Sequence, residues 1–223
     1  MRAILIGATG LIGGILLEKL LKDPVFSHVK LISRRSNGIR HAKLEEVIIN
    51  FEDEVSFKKE VTNADVLFST VGTTQKQVKG DNAAYRKIDF DIPVRAARFC
   101  AEQHVGTYLL VSSVGANTAS GNFYLRLKGE TETAVLSQSI ASIYIMRPSM
   151  LLGNRKESRL GEIIGQPLMR FFSVILFGSM TKYKAIDAAA VAEAMFIASK
   201  KTITGKFICE YREMIKMADK INS

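Results

Sequence analysis

The chain has 223 residues, of which 47% are hydrophobic and 24% are charged. This composition is typical of one folded globular domain and argues against intrinsic disorder. The formal net charge is +9; because the lysines and arginines form no dense block, we expect a solvated basic surface and no nucleic-acid partner.

Neither the cysteines nor the first residues indicate export or metal binding. Cys100 and Cys209 match no metal spacing and no disulfide framework. The three histidines are scattered without the spacing of metal ligands, so no metal is expected. The chain runs from Met1 straight into an apolar strand, without the charged region and apolar core of a signal peptide. These features predict a cytoplasmic protein with reduced thiols.

Short apolar runs alternate with longer segments of helical length. Most runs are continuously apolar, which is typical of strands buried on both faces of a parallel sheet. Strands are predicted at residues 3–6, 29–32, 47–49, 66–69, 108–111, 143–146 and 207–209. Helices are predicted at 11–22, 83–103 and 128–138, and a late helix after Asp187, which we expect to cap it. The order predicts an α/β fold: a doubly wound parallel Rossmann sheet with helices on both faces.

The C-terminal part carries the least regular pattern. We interpret residues 1–223 as one domain in which residues 151–184 form a small substrate-facing or lid segment. Within it, the apolar stretch from Leu168 to Met180 is too short to span a bilayer. Four roles stay open for this stretch: core packing, a wall of the substrate pocket, the face of a homodimer, or peripheral contact with a membrane.

A glycine loop follows the first predicted strand directly. Its residues are Gly7, Ala8, Thr9, Gly10, Leu11, Ile12 and Gly13. The first glycine allows a tight turn, the second lets the backbone approach a diphosphate, and the third lets the following helix pack on the sheet. Free amides at the helix N-terminus attract phosphate. We therefore expect a nicotinamide dinucleotide here, contacted by Gly7, Thr9, Gly10, Leu11, Ile12 and Gly13.

Two arginines, Arg34 and Arg35, follow the second predicted strand. NAD enzymes usually carry a carboxylate there for the ribose 2′-hydroxyl, whereas a guanidinium suits a 2′-phosphate. The sequence thus favours NADP(H), with Arg34 as the better candidate because it lies nearer the strand; the alternative is that both are surface charges. Val71 and Gly72 follow the fourth strand, where they either line the adenosine ribose or form a plain turn.

The fifth predicted strand ends in Ser112 and Ser113, and Tyr124 and Lys128 follow at a four-residue spacing. On a helix this spacing places both side chains on one face. A lysine ammonium beside a tyrosine stabilises the phenolate, which ordinarily forms only near pH 10. A serine hydroxyl at the strand end can orient a carbonyl and stabilise charge developing on its oxygen. This pattern predicts proton transfer to a carbonyl substrate.

These motifs together resemble the short-chain dehydrogenase/reductase superfamily in its atypical branch. The segments 111–117 (VSSVGAN) and 122–130 (NFYLRLKGE) are more narrowly similar to the Tat-interactive-protein oxidoreductases. The resemblance implies a parallel Rossmann sheet, NADPH as cofactor, and a catalytic set that maps to Ser113, Tyr124 and Lys128, with Ser112 as the less favoured serine. It further implies that Asp89 supports the site and that Pro148 begins the loop over the nicotinamide.

Three functions are consistent with this pattern. The favoured one is an NADPH-dependent oxidoreductase that reduces a carbonyl of a small molecule, with Tyr124 as proton donor and Lys128 also holding the nicotinamide ribose. The second is a regulatory protein that binds NADPH without turnover and acts through a protein partner; the complete Ser-Tyr-Lys set argues against it. The third is an epimerase or dehydratase, against which the short C-terminal part argues.

Overall fold

The computed structural model describes residues 1–153 and 178–219 and centres on a seven-stranded sheet. In chain order the strands are β1 Arg2–Ile6, β2 His28–Ser33, β3 Leu44–Ile48, β4 Val66–Ser69, β5 Thr107–Val111, β6 Ser142–Met146, β7 Leu151–Leu152, β8 Ile186–Asp187 and β9 Gly205–Cys209. The large sheet has the order β3-β2-β1-β4-β5-β6-β9, and every pairing in it is parallel. The predicted doubly wound α/β fold is confirmed, with its reversal of order between β1 and β4.

The four predicted helices are present with differences at some ends. In chain order the helices are α1 Leu11–Lys22, α2 Glu54–Glu60, α3 Asn82–Arg86, α4 Ile92–Glu102, α5 Phe123–Leu136, α6 Ala188–Ser199 and α7 Tyr211–Ala218, of which α2 and α7 were not predicted. The single helix predicted at 83–103 is interrupted by a π-helical turn, Lys87–Asp91. The start predicted at Lys128 is wrong, because the Asn122 side chain accepts a hydrogen bond from the Leu125 amide and starts α5 there. Asp187 caps α6 in the same way, as predicted.

Both faces of the sheet are covered, and the strands bury side chains on both. On β1, Ala3 and Leu5 pack against α1, α6 and α7. Ile4 and Ile6 point to the other face and pack against α2, α4 and α5. Since neither face of the central strands meets water, these strands need no alternation of polar and apolar residues, which explains their continuous apolar runs. Because every pairing in the large sheet is parallel, the carboxyl ends of its strands lie along one edge.

The C-terminal segment is described only at its two ends. The short strands β7 and β8 pair in parallel through Leu151 and Ile186, and a 3₁₀ turn covers Gly178–Tyr183. Most of the stretch from Leu168 to Met180 lies outside the described residues, as does the centre of the predicted lid at 151–184. Within residues 1–153 and 178–219, no helix is both long and apolar enough to cross a bilayer.

A buried carboxylate joins α5 to the ends of β5 and β6. Glu132 is only 3% exposed; its Oε1 accepts a hydrogen bond from the Ser112 hydroxyl at 2.5 Å. The Arg147 guanidinium donates to the same carboxylate, with Nε 3.0 Å from Oε1 and Nη2 2.5 Å from Oε2. Hydrogen bonding to Glu132 raises the pKa of Arg147. Because a buried charge is tolerated only while its partners remain, this network fixes both strand ends against α5.

Replacing Glu132→Gln should lower the thermal midpoint strongly. The amide cannot balance the half-buried Arg147 guanidinium, and breaking such a pair costs about 3 kcal/mol. The matched control is Glu130→Gln on the same helix, whose partner Arg86 lies 2.5 Å away; their side chains are 34% and 44% exposed. An exposed pair contributes only about 0.5 kcal/mol. Unfolding followed by circular dichroism compares the two variants, and equal losses would contradict a structural role for the buried network.

Candidate functional site

The sheet reverses its strand order between β1 and β4, and we refer to its carboxyl edge at this point as the crevice. A tight turn borders it. Gly7 follows β1 with a φ of +95°, which favours glycine. The backbone amide and the side-chain hydroxyl of Thr70, at the end of β4, donate to the Ile6 carbonyl at 2.9 and 3.0 Å. A Cβ on Gly7 would lie 2.6 Å from the Val71 nitrogen. The turn after β1 is therefore pressed against the loop after β4.

The other two loop glycines have different roles. A Cβ on Gly13 would lie 2.3 Å from the Gly7 carbonyl oxygen, so Gly13 is required for packing of α1 on the turn. Gly10 has ordinary extended backbone and leaves more room than Gly7 or Gly13, although a Cβ there would still lie at a tight 3.3 Å from the Gly7 carbonyl oxygen. Gly10 precedes α1 as its cap, and no side chain bonds the first-turn amides from this position. Bare amides beside an open cradle fit the diphosphate of a dinucleotide.

The predicted loop residues all lie at this turn. Ala8 and Ile12 are buried, Thr9 is exposed, and Gly10 and Leu11 are half-buried. A Cβ on Gly153, which follows β7, would lie 3.0 Å from the Leu11 side chain. The chain after β6 therefore returns beside the start of α1, which brings the first described part of the predicted lid to the crevice.

A surface pocket of about 460 Å³ lies beyond the ends of β2 and β3. Its walls include Arg34, Asn50, Phe51 and Ile88. Of the two predicted arginines, both exposed, only Arg34 lines it. Among the described residues, the Arg34 guanidinium forms no ion pair, so it can accept an anion. A pocket with an aromatic wall and a free guanidinium fits a nucleoside that carries a phosphate.

An exposed ion pair bounds this pocket on the other side. Lys87 Nζ lies 2.7 Å from Glu52 Oε1. The hydrogen bond between them raises the pKa of Lys87 and lowers the pKa of Glu52. Arg95 donates to the Phe51 carbonyl at 3.1 Å, which holds the aromatic wall in place. The cation that stays open to a ligand phosphate is therefore Arg34.

The predicted Tyr-Lys pair lies on one face of α5. Tyr124 is half-buried, and Lys128 Nζ lies 5.9 Å from the centroid of its ring. A Cβ on the neighbouring Gly129 would lie 2.4 Å from the Asn117 carbonyl carbon. The loop after β5 is thus packed closely onto α5 beside Lys128. The structure brings the strand end that carries Ser113 and the Tyr124 face of α5 to the same edge of the sheet.

The two serines at the end of β5 have different surroundings. Ser112 is buried and its hydroxyl is bound to Glu132. Ser113 is half-buried, and its hydroxyl makes only a long contact of 3.3 Å to the Val114 carbonyl. These surroundings favour Ser113 as the serine available to a ligand.

Asp89 is paired with Lys128 in a way that the sequence did not reveal. The ammonium lies 2.8 Å from Asp89 Oδ1, and the two residues are 5% and 2% exposed. The other carboxylate oxygen accepts a hydrogen bond from the Thr73 amide at 2.7 Å. The Thr131 hydroxyl donates to the Asp89 carbonyl at 3.2 Å. Asp89 lies in the π-helical turn, a feature often found at functional sites.

The remaining predicted residues border the same edge. Val71 and Gly72 are half-buried in the loop after β4, which Thr73 anchors to Asp89. Pro148 is buried, and its carbonyl accepts a hydrogen bond from the Val114 amide at 3.0 Å. The loops after β5 and β6 are therefore tied together next to the Tyr124 face.

Comparison with known families agrees with this geometry. A family model described as NAD(P)H-binding matches residues 7–168, which include the glycine loop and the Tyr-Lys pair. The matched part begins at Gly7, at the turn after β1, and covers more than half of the chain.

Curated relatives resemble the chain along most of its length. Protein FMP52-1 of Scheffersomyces stipitis is 31% identical over 201 residues, covering 85% of this chain and 88% of the relative. Protein FMP52 of Candida albicans is 28% identical, with both chains fully covered. Both relatives are named as mitochondrial proteins. The cytoplasmic location expected from the sequence is therefore wrong.

Solved structures share the fold at low sequence identity. UDP-glucose 4-epimerase of Thermotoga maritima, determined with UDP-glucose, has a TM-score of 0.69 and 15% identity, covering 99% of this chain and 82% of that one. The enzyme WbmH of Bordetella bronchiseptica, determined with NAD⁺, has a TM-score of 0.71 and 16% identity, covering 94% and 75%. From the glycine loop, the sheet order and these matches, the chain belongs to the NAD(P)H-binding family of Rossmann-fold proteins and has the FMP52 proteins among its relatives.

Proposed function

We propose that the protein is an NADPH-dependent reductase of small carbonyl compounds. The observation that carries this proposal is the placement of Tyr124 and a buried, ion-paired Lys128 on one face of α5. That face lies at the sheet edge that also holds the open cradle of Gly10. A chain that only bound the dinucleotide would have no need of a tyrosine-lysine pair at this edge.

Each residue has a definite role in this proposal. NADPH, when bound, supplies a hydride to the carbonyl carbon. The Tyr124 hydroxyl donates a proton to the carbonyl oxygen, and the Ser113 hydroxyl donates a hydrogen bond to the same oxygen. Lys128 orients Tyr124 and holds the nicotinamide ribose. Pro148 begins the loop that closes over this end and excludes water.

Arg34 is the basis for preferring NADPH to NADH. Its guanidinium lines the pocket of about 460 Å³ beside Phe51, where the adenosine end would lie with Val71 and Gly72 along its ribose. A charge-assisted bond from a planar guanidinium to phosphate oxygens is strong and directional. Arg35, exposed and outside the pocket wall, would contribute mainly by its charge.

The finer classification belongs to the same proposal. We place the chain among the atypical short-chain dehydrogenases/reductases, on the resemblance of its 111–117 and 122–130 segments to the Tat-interactive-protein oxidoreductases. By similarity to relatives named mitochondrial, we propose a mitochondrial location. The likeness to UDP-glucose 4-epimerase and to WbmH is one of fold at 15–16% identity and carries no substrate over to this chain.

Replacing Gly10→Ala should weaken NADPH binding at least tenfold while the fold is kept. The added methyl group fits the extended backbone of Gly10 but occupies the cradle that the diphosphate needs. The control is Gly14→Ala, in which the Cβ would make an ordinary 3.4 Å contact with the Ala8 carbonyl and the helix would gain up to about 1 kcal/mol. NADPH fluorescence measures binding without tryptophan background, because the chain has no Trp. An unchanged affinity for NADPH in Gly10→Ala would contradict the binding of the diphosphate at this turn.

Replacing Arg34→Ala should raise the Kd for NADPH about tenfold or more and leave the Kd for NADH nearly unchanged. The reason is the loss of a charge-assisted hydrogen bond to the 2′-phosphate, which contributes about 1.5–3 kcal/mol. The comparison is Arg35→Ala, for which we expect a smaller effect. Equal losses for the two coenzymes, or a larger effect at Arg35, would contradict the role of Arg34.

Replacing Tyr124→Phe should lower kcat for carbonyl reduction at least 100-fold, because the proton donor is removed. The Kd for NADPH should stay within about twofold, since the ring is retained. Tyr211→Phe, on α7 after β9, two strands along the sheet from β5, serves as the control. The substrate for this measurement comes from a screen of aldehydes and ketones that follows NADPH consumption. A wild-type protein that binds NADPH tightly and consumes none with any carbonyl would instead indicate a regulator without turnover.

A further inference from the structure

The charge beside Tyr124 is balanced. Lys128, whose ammonium by itself would stabilise a phenolate, has the Asp89 carboxylate at 2.8 Å, and both residues are buried. Two opposite charges in contact present little more than a dipole to a group several ångströms away, because their fields largely cancel. The ring of Tyr124, 5.9 Å from the ammonium, therefore faces a nearly neutral pair.

Within the part of the chain that the structure describes, two cations on elements packed against α5 are themselves ion-paired. On α3, Arg86 is paired with Glu130 of α5. At the end of β6, Arg147 is paired with Glu132, one turn beyond Lys128. The other ionisable neighbour, Tyr85, has its ring 6.4 Å from that of Tyr124 and donates its hydroxyl to the Thr73 carbonyl. Each cation named here thus has a carboxylate of its own.

Asp89 is also held rigidly. Its second oxygen accepts the Thr73 amide hydrogen at 2.7 Å, and its backbone carbonyl accepts from Thr131 of α5 at 3.2 Å. The carboxylate therefore links Lys128 to the loop after β4, which carries Val71 and Gly72. A pair fixed on both sides cannot swing away from Tyr124 without breaking buried hydrogen bonds.

We propose that Asp89 is a positioning residue that neutralises Lys128 and keeps Tyr124 protonated as a phenol. This inference rests on the proposed reductase function and gives it a direction. In reduction, the carbonyl carbon gains the hydride of NADPH and the oxygen gains the proton of Tyr124, which then recovers a proton from water. The reverse oxidation needs a phenolate as base. A neutral Lys-Asp pair thus favours proton donation and carbonyl reduction.

Ultraviolet titration of tyrosinate at 295 nm tests the proposal without any turnover. The chain has six tyrosines and no Trp, and the Tyr124 signal is the difference between each protein and its Tyr124→Phe counterpart. Burial raises the pKa of Tyr108 and of Tyr144, so both ionise above the pH range in which Tyr124 is followed. In Asp89→Asn the unbalanced ammonium should lower the ionisation midpoint of Tyr124 by about one pH unit.

Three further variants make the result decisive. Asp91→Asn removes the same charge from the same π-helical turn, at a position that lines the pocket beside Arg34. This variant should leave the ionisation midpoint of Tyr124 unchanged. The double variant Asp89→Asn/Lys128→Gln replaces the charged pair by two amides and should return the midpoint to the wild-type value. It also provides the comparison with wild type if Asp89→Asn alone fails to fold. Asp89→Glu, which keeps the charge, should retain the wild-type midpoint.

The outcomes separate this proposal from the reductase assignment. An unchanged midpoint in Asp89→Asn, or a double variant titrating about one unit above wild type, would overturn the neutralising role of Asp89. In an active protein, reduction fails as pH rises and Tyr124 loses its proton, so the alkaline limb of the kcat profile should move about one unit lower in Asp89→Asn. The expected titration shift in a protein that reduces no carbonyl would support the role of Asp89 and reject the reductase.

Discussion

The close contact between the start of α1 and the turn after β1 is the constraint on which the rest of the crevice depends. Gly13 lies so near the Gly7 carbonyl that a Cβ would come within 2.3 Å of it. This contact fixes how α1 packs on the turn after β1, at the point where the strand order reverses between β1 and β4. Because the order reverses there, the chain connections leave in opposite directions and a ligand can lie along the edge.

Two buried ion pairs then set α5 against this edge. Lys128 and Glu132 lie one turn apart on the helix. Lys128 pairs with Asp89 of the π-helical turn, and Glu132 pairs with Arg147, which directly follows β6. Buried pairs add little stability compared with apolar packing, but removing one partner is costly. They therefore act by holding one arrangement of α5, which is what a site with a positioned proton donor requires.

The sequence predicted what depends on local pattern and missed what depends on tertiary contact. Continuous apolar runs located the strands, and residues just after strand ends were bound to share an edge of a parallel sheet. The pairing of Lys128 with Asp89 could not be predicted, because it is a tertiary contact between residues that lie far apart in the chain, on α5 and in the π-helical turn. The spacing of Tyr124, Lys128 and Glu132 was a signal that Glu132 shares their face. Two buried, unpaired cysteines do not distinguish one reducing compartment from another, so the location was missed.

The strand order also limits what kind of ligand can use the whole edge. From the end of β2, where Arg34 lies, to the end of β5, where Ser113 lies, the sheet crosses β1 and β4. Three strand spacings amount to about 14 Å, so no small group can touch both residues. A ligand that did so must be elongated, with a phosphate-bearing end at Arg34, a negative centre at the amides of α1 and its reactive end at Tyr124. A dinucleotide with a 2′-phosphate has these three parts in this order, which is why the two ends of the crevice are best explained by one molecule.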